Sequence, residues 1–270
     1  MRRMTRGVDG LPLGQLRVAV EAAYGCSAIV SHLGTAVGAR VTRRTEPRLK
    51  RPFDVVVAGL GMVALSPVFG AIAAAIKLVS PGPVMYCATR TGRDGHPFTM
   101  YKFRTMQERR DTHGPKITTH ADRRITRVGR LLRPARLDEL PQLWNVLRGD
   151  MSLVGPRPED PHYVELYDTE DRVVLAARPG ITGLAALLYR DEERLLVGEG
   201  WERVYVEQVM PAKLAIDRTY VERRSLWLDL NILAATALSI VGLDGLVNLR
   251  REAAVLGLAG DGRRLADTPA

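Results

Sequence analysis

The sequence of 270 residues is poor in aromatics, cysteine and histidine. Phe, Trp and Tyr make up 6% of it and no RNA- or DNA-binding motif is present, which argues against a nucleic-acid module. Two cysteines, Cys26 and Cys87, supply no disulfide framework and fit a reducing compartment. Of the five histidines, His113, His120 and His162 show no metal-ligand spacing. The basic start, Met1 to Arg6, is not followed by an apolar h-region, so no cleaved signal peptide is expected. No internal repeat is visible. What is abundant is positive charge: 39 Lys and Arg against 30 Asp and Glu give a formal net charge of +9. That balance favours an anionic partner, whether nucleic acid, an acidic membrane surface or a phosphorylated substrate, and does not choose among them. A hydrophobic content of 46% excludes wholesale disorder, and the length allows one large domain or two small ones.

Val55 to Ile76 carries no charge and is bounded by Asp54 and Lys77. Its length suits a membrane-spanning helix. Two features oppose a simple span. Ser66-Pro67 sits in the middle, and proline there removes a backbone hydrogen bond and breaks a helix. Both flanks are basic, with Lys50 and Arg51 before the run and Lys77, Arg90, Arg93, Lys102 and Arg104 after it, whereas a span leaves one flank poor in cations. The expectation is a hairpin that enters one leaflet and returns, with Ser66 serving backbone groups freed at the break. Within the run, Val55 to Ala64 imitates a strand followed by G-x-G-x-x-A. A dinucleotide site wants an acid about 20 positions on; none stands near Val79 to Pro83, and that reading is set aside.

Further along, Val84-Met85-Tyr86 reads as a short strand, Gly92-Arg93-Asp94-Gly95 as a hairpin turn and Phe98 to Phe103 as the return strand. Asp111 to Asp122 reads as a loop, Ile125 to Leu132 and Trp201 to Arg224 as helices, and Arg178 to Gly183 as a turn. Leu226 to Leu246 reads as a core or interfacial helix, with the interface preferred. Roughly residues 15–38 are expected to be helical and the tail from Gly260 disordered.

The densest chemistry lies in Arg136-Leu137-Asp138-Glu139-Leu140-Pro141-Gln142-Leu143, followed by Gly149-Asp150-Met151-Ser152 and Gly155-Pro156-Arg157-Pro158. Adjacent carboxylates on a helix point about 100° apart, so Asp138 and Glu139 need not share a task. An acidic pair at a helix start is commonly only solvated and favoured by the dipole. Here Pro141 suits a first turn, and Arg133 and Arg136 stand beside the pair, which keeps a carboxylate ionised. An ionised carboxylate can attack phosphorus or bind magnesium. Asp150 reads equally as a turn cap or a metal ligand, and Arg136 as a ligand contact or a partner of Asp138. Asp191-Glu192-Glu193 reads as a solvated helix start in preference to a metal or sugar site. Trp201 and Trp227 read as interface or core aromatics.

These runs, with Lys50-Arg51-Pro52-Phe53-Asp54, Gly82-Pro83-Val84, Arg90 to Gly95, Tyr101 to Met106 and Arg178-Pro179-Gly180-Ile181-Thr182-Gly183, closely resemble the bacterial sugar transferase family, the monotopic polyprenyl-phosphate sugar-1-phosphate transferases. The resemblance runs in order over roughly residues 48–240. It implies a helix-rich α+β fold: a small catalytic domain with short strands, set on a re-entrant helix-break-helix at Ser66 and Pro67, with interfacial amphipathic helices. It also implies transfer of a sugar-1-phosphate from a UDP-sugar to polyprenyl (undecaprenyl) phosphate, with Mg2+, at the cytoplasmic face of a bacterial inner membrane. Asp138 would be the nucleophile, and a magnesium ligand, with Glu139 assisting. Lys102, Arg104, Arg133, Arg157 and Arg178 would contact phosphate. The family often has Gln near Ala186, where Ala185-Ala186 stands here.

The implied organisation is an extension at 1–46, a linker and membrane hairpin at 47–80, a catalytic domain at 81–250 and a tail at 251–270. Partners would be UDP-sugar, the lipid phosphate and membrane lipids, with no nucleic acid and homo-oligomerisation left open. The competing reading is a non-catalytic membrane-surface scaffold or a binder of anionic polymers. Nothing in the sequence names the sugar.

Overall fold

A break at a proline organises the amino-terminal part. Helices α1 (Lys50–Ala64) and α2 (Ser66–Val79) meet at 60°. Pro67 stands in the first turn of α2, where its missing N–H has no helical partner to lose. Ser66 Oγ donates to the Val63 carbonyl at 2.8 Å, satisfying an acceptor at the bend as expected. The strand-like look of Val55 to Ala64 is misleading: all of it is helix, and Gly59 and Gly61 lie against Leu147 and Leu143. The outer face of the pair carries exposed Val56, Leu60, Val63 and Leu78. Among the residues described by this computed structural model (46–107, 124–190, 192, 196 and 200–243), no single helix is long and apolar enough to cross a membrane. The bent pair reaches that apolar length only jointly. The helix expected near 15–38, the loop at Asp111 to Asp122 and the tail from Gly260 lie outside the described residues.

Strands β1 (Met85–Thr91) and β2 (Pro97–Phe103) form an antiparallel hairpin, paired from Met85↔Phe103 to Thr91↔Pro97. The turn needs left-handed backbone at Asp94 and Gly95, which Asp and Gly tolerate best. Phe103 packs edge-on to Phe69 at 5.5 Å and joins Ile72, Ile76 and Leu132, fastening α2 to the hairpin. Helix α3 (Arg127–Leu132) starts at Thr126, whose Oγ1 accepts the Gly129 N–H at 2.9 Å. Helix α4 (Gln142–Arg148) supplies Asn145, which takes the Tyr101 N–H on Oδ1 and gives Nδ2 to the Thr99 carbonyl. One side chain thereby covers the free edge of β2 between Thr99 and Tyr101.

Short parallel strands β3 (Ser152–Val154) and β4 (Gly180–Thr182) form the second sheet. Where they end the backbones touch: a Cβ on Gly155 would stand 2.3 Å from the Arg178 carbonyl, and one on Gly180 2.1 Å from the Gly155 nitrogen. Only glycine permits that approach. Helices α5 (Pro161–Val164) and α6 (Leu184–Leu188) follow these strands.

The long helix expected from Trp201 to Arg224 forms in three parts: α7 (Trp201–Val204), a π-helical turn at Tyr205–Val209 and α8 (Met210–Arg223). Pro211 is the cause, since it lacks the N–H that would continue the α ladder. In α9 (Leu226–Ile240), Leu228, Ile232 and Ala235 enter the core while Trp227 is 71% exposed, so the helix is core on one side and surface on the other.

The first residues of α1 tie these layers together. Lys50 Nζ reaches Asp229 of α9 at 2.6 Å and the Val154 carbonyl at 2.9 Å. Arg51 donates to the Val146 and Leu147 carbonyls at the end of α4. Asp54 accepts from Ser152 Oγ and the Leu153 N–H. The described fold is thus helix-rich α+β, with two separate two-stranded sheets.

Candidate active site

Between α3 and α4 the chain makes a one-turn 3-10 helix, Leu137–Glu139. Arg136 enters it with φ 52°, a left-handed conformation costly for a residue with a Cβ. Pro141 caps α4 rather than lying inside its first turn. This tight turn sends the two carboxylates to different surroundings. Glu139 is buried: its Oε1 receives Lys102 Nζ at 2.7 Å and Arg157 Nη2 at 2.8 Å. Its Oε2 lies 3.7 Å from Arg136 Nη1 and has no hydrogen-bond partner. Asp138 is half-buried; the ion pairs seen among the described residues go to Glu139 and none to Asp138.

The electrostatics separate the pair further. Burial pushes the Asp138 carboxyl up, against the pull of Lys102 and Arg133. Burial would raise Glu139 too, but Arg157, Lys102 and Arg136 outweigh it and hold the group well below the usual carboxylate range. Glu139 in turn raises Arg157. Burial lowers Lys102 despite its contact with Glu139. Four cations, Lys102, Arg133, Arg136 and Arg157, therefore surround two carboxylates, and the surplus positive charge suits a phosphate or diphosphate. Glu139 is an ionised hub that fixes cations from three parts of the chain, and Asp138 stands outside those ion pairs.

Residues 45–242 match the bacterial sugar transferase family. The chain belongs to that family. Over 200 residues it is 45% identical to a UDP-glucose:undecaprenyl-phosphate glucose-1-phosphate transferase of Caulobacter vibrioides, covering 72% of this chain and 70% of the relative. Over 201 residues it is 37% identical to the UDP-N-acetylgalactosamine-undecaprenyl-phosphate N-acetylgalactosaminephosphotransferase of Aeromonas hydrophila. That alignment covers 72% of this chain but only 44% of the relative, so the chain spans less than half of that protein. Over 202 residues it is 37% identical to the exopolysaccharide production protein ExoY of Sinorhizobium fredii, covering 69% of this chain and 83% of the relative.

The structure does not bring every cation expected from the family resemblance to the dyad. Arg104 is buried and donates to the Pro81 carbonyl, the Ser80 carbonyl and Ser80 Oγ, so it braces the turn leaving α2. Its place just past the end of β2, two residues after Lys102, could not show this, because Ser80 and Pro81 come from a distant part of the chain. Arg178 donates to the Gly149 carbonyl and pairs with Glu46, bracing a turn as well. Asp150 accepts from Asn145 Nδ2 at 3.2 Å and lies 3.4 Å from Arg148, which makes it a turn residue. At Ala186 the backbone carbonyl accepts from Arg136 Nη2 at 3.3 Å, so this position bears on the site without a glutamine side chain.

Two features carried no signal in the sequence. Arg157 rides on a loop fastened at its far end: Thr91 N–H donates to the Glu159 carbonyl, Tyr205 OH donates to the Glu159 carboxylate, and Arg90 pairs with Asp160 at 3.1 Å. Glu192, expected to be a solvated acid, instead accepts from the buried Lys213 Nζ at 2.7 Å. Asp191 and Glu193 lie outside the described residues.

Behind this loop Asp217 is buried near Lys213 and Glu159, and burial pushes its carboxyl up to about 7. A buried acid with a raised pKa binds its proton more tightly when folded. Stability therefore falls as pH rises from the unfolded value near 4 towards 7, and the penalty is complete above that. Asp217→Asn should be more stable than the parent by about 2–4 kcal/mol at pH 8, the difference vanishing near pH 4. Thermal unfolding at the two pH values checks this; an equal shift at both would sink it.

Proposed function

We propose that this chain transfers a sugar-1-phosphate from a UDP-sugar to undecaprenyl phosphate, or a related polyprenyl phosphate, yielding a polyprenyl diphospho-sugar and UMP. It would thereby start a lipid-linked glycan such as an exopolysaccharide or O-antigen. The observation that carries this is the half-buried Asp138 carboxylate beside an ionised Glu139 that gathers Lys102, Arg136 and Arg157. The names of the relatives support the same reaction class.

In the first step an Asp138 oxygen forms a bond to the sugar-side phosphorus. The bond from that phosphorus to the bridging oxygen breaks, and UMP leaves with the electron pair. An oxygen of the lipid phosphate then attacks the aspartyl phospho-sugar and returns Asp138 as a carboxylate. Two displacements at one phosphorus give ping-pong kinetics. Lys102, Arg133, Arg136 and Arg157 offset charge on the diphosphate, and Glu139 keeps them placed before substrate arrives.

Magnesium is commonly held by one or two carboxylates together with substrate phosphates. Asp138 would be the protein ligand, and the ion would supply charge neutralisation at the diphosphate.

The membrane reading rests on the 60° break at Ser66-Pro67 and on the exposed apolar face of α1 and α2. The hairpin would sit in the cytoplasmic leaflet of a bacterial inner membrane, beside the headgroup of the lipid acceptor. Single cysteines at the two ends of the 55–76 run should label from the same side of sealed vesicles. Labelling from opposite sides would overturn the hairpin.

The direct test is nucleoside monophosphate release by detergent-solubilised protein given undecaprenyl phosphate, magnesium and a panel of UDP-sugars. Release with one donor identifies reaction and sugar together. No release with any nucleotide sugar would favour a non-catalytic membrane-surface scaffold.

A further inference from the structure

Glu139, Gln142 and Asn145 are buried polar side chains that follow one another at three-residue intervals. The backbone explains why they share a face. Leu140, Leu143 and Trp144 N–H each donate to the carbonyl three positions back, at 3.4, 3.0 and 3.0 Å. The stretch therefore winds at about three residues per turn and stacks side chains i and i+3. The face so formed lies against β2: Glu139 takes Lys102 Nζ, and Asn145 bonds the Tyr101 N–H and the Thr99 carbonyl. Gln142, 1% exposed, stands between these two contacts. Its Nε2 is buried and has no hydrogen-bond partner among the described residues.

Glu139 is itself only half used. Lys102 and Arg157 both go to Oε1, while Oε2 is buried and has no hydrogen-bond partner among the described residues. Arg136, again three positions away, holds Nη1 3.7 Å from that Oε2, beyond direct bonding distance. The other end of its guanidinium, Nη2, is taken by the Ala186 carbonyl. Spacing thus brings donors on Arg136 and Gln142 to an acceptor on Glu139 without joining them. Buried donors and acceptors left open cost stability, and native proteins keep few of them. The pattern left over is that of one hydroxyl oxygen, which accepts two hydrogen bonds and donates one. A polar contact stretched past bonding distance is also where a bridging oxygen sits. An ionised phosphate only accepts and cannot serve Glu139 Oε2, and a cation cannot serve Arg136 or Gln142.

We propose that Arg136 Nη1, Glu139 Oε2 and Gln142 Nε2 form a binding site for one hydroxyl oxygen beside the dyad. That oxygen belongs to a resident water or to a hydroxyl of the sugar donor. Gln142 is a positioning residue in the first case and a substrate-binding residue in the second. In both it completes the hydrogen bonding of Glu139, and with it the placement of Lys102 and Arg157. The donor's part in this rests on the transferase reading given above; the site itself does not.

The test has a structural and a kinetic arm. A crystal structure of the full chain in detergent, alone and with a UDP-sugar, should show an oxygen within about 3.2 Å of all three atoms. A site without that oxygen in both crystals, or Gln142 Nε2 bonded to another group, overturns the proposal. In the release assay Gln142→Met keeps the volume and removes the donor. It should lower kcat/KM by about ten- to a hundredfold, the worth of a hydrogen bond to a charged group, in protein that still unfolds cooperatively. Gln142→Glu sets an acceptor against an acceptor and should lose more. With a resident water the loss lies in kcat and is equal for every UDP-sugar, because the site is placed before any donor arrives. With a sugar hydroxyl the loss is confined to donors that carry that hydroxyl and spares the matching deoxy-sugar. Folded variants as active as the parent on every donor overturn the proposal. A parent that releases nothing sinks the transferase reading alone, and the oxygen in the crystal then decides the site.

Discussion

Asp138→Asn should abolish nucleoside monophosphate release, by roughly four orders of magnitude or more, while the protein stays folded. The size follows from the two-step path. Asparagine has nearly the same shape but no carboxylate oxygen to form the bond to phosphorus, so no intermediate can arise. Folding is spared because the ion pairs in this cluster converge on Glu139 and leave the half-buried Asp138 out. Its replacement should not lower stability at neutral pH, because burial already disfavours the Asp138 carboxylate and asparagine carries no charge to desolvate. Incubating the parent with sugar-labelled donor and no lipid should leave label on the protein, and the variant should carry none. Near-normal turnover in the variant would remove Asp138 as nucleophile. Glu139 would make a poorer first target, since losing its charge disperses Lys102 and Arg157 and confounds placement with chemistry.

Lys50→Met should destabilise the protein by about 3–5 kcal/mol. Lys50 is 4% exposed and its ammonium is shared between Asp229 and the Val154 carbonyl. Removing it leaves Asp229, 1% exposed, with the Tyr220 hydroxyl at 2.7 Å as its one side-chain donor among the described residues. A buried carboxylate that has lost its cation bears the full desolvation cost, and Asp229 already has its pKa raised by burial. Replacing both ends, Lys50→Met with Asp229→Leu, should recover most of the loss, because apolar residues of similar volume need no partner. Denaturant unfolding in detergent measures both. A single variant that costs less than about 1 kcal/mol, or a double variant no better than the single, would contradict this account. The pair matters to function because it anchors the start of α1, and with it the proposed membrane hairpin, to the strand leading into the Arg157 loop.

How much of this could be read without coordinates depends on how far apart the interacting residues lie in the chain. The bend at Ser66-Pro67 was legible because proline acts on its own helix turn. The β1–β2 hairpin was legible from a turn flanked by alternating residues, and the family from runs that are contiguous in sequence. Asp138 and Glu139 were recognisable as a pair, but their division of labour was not. It comes from Lys102 and Arg157, which arrive from 37 and 18 positions away and both choose Glu139.

Lys102 and Arg104 were expected alike to contact phosphate, yet one reaches the dyad and the other closes the turn at Ser80 and Pro81. Asp229 stands in an otherwise apolar helix and proves to be the partner of a lysine 179 positions earlier. Glu192 read as solvated until Lys213 was found beneath it. The sequence by itself determined the local events, namely helix, break, turn and catalytic motif, since propensity, proline and glycine act over a few residues. Only the tertiary structure decided which charges meet, because burial makes each ionised group take the partner that folding brings within reach.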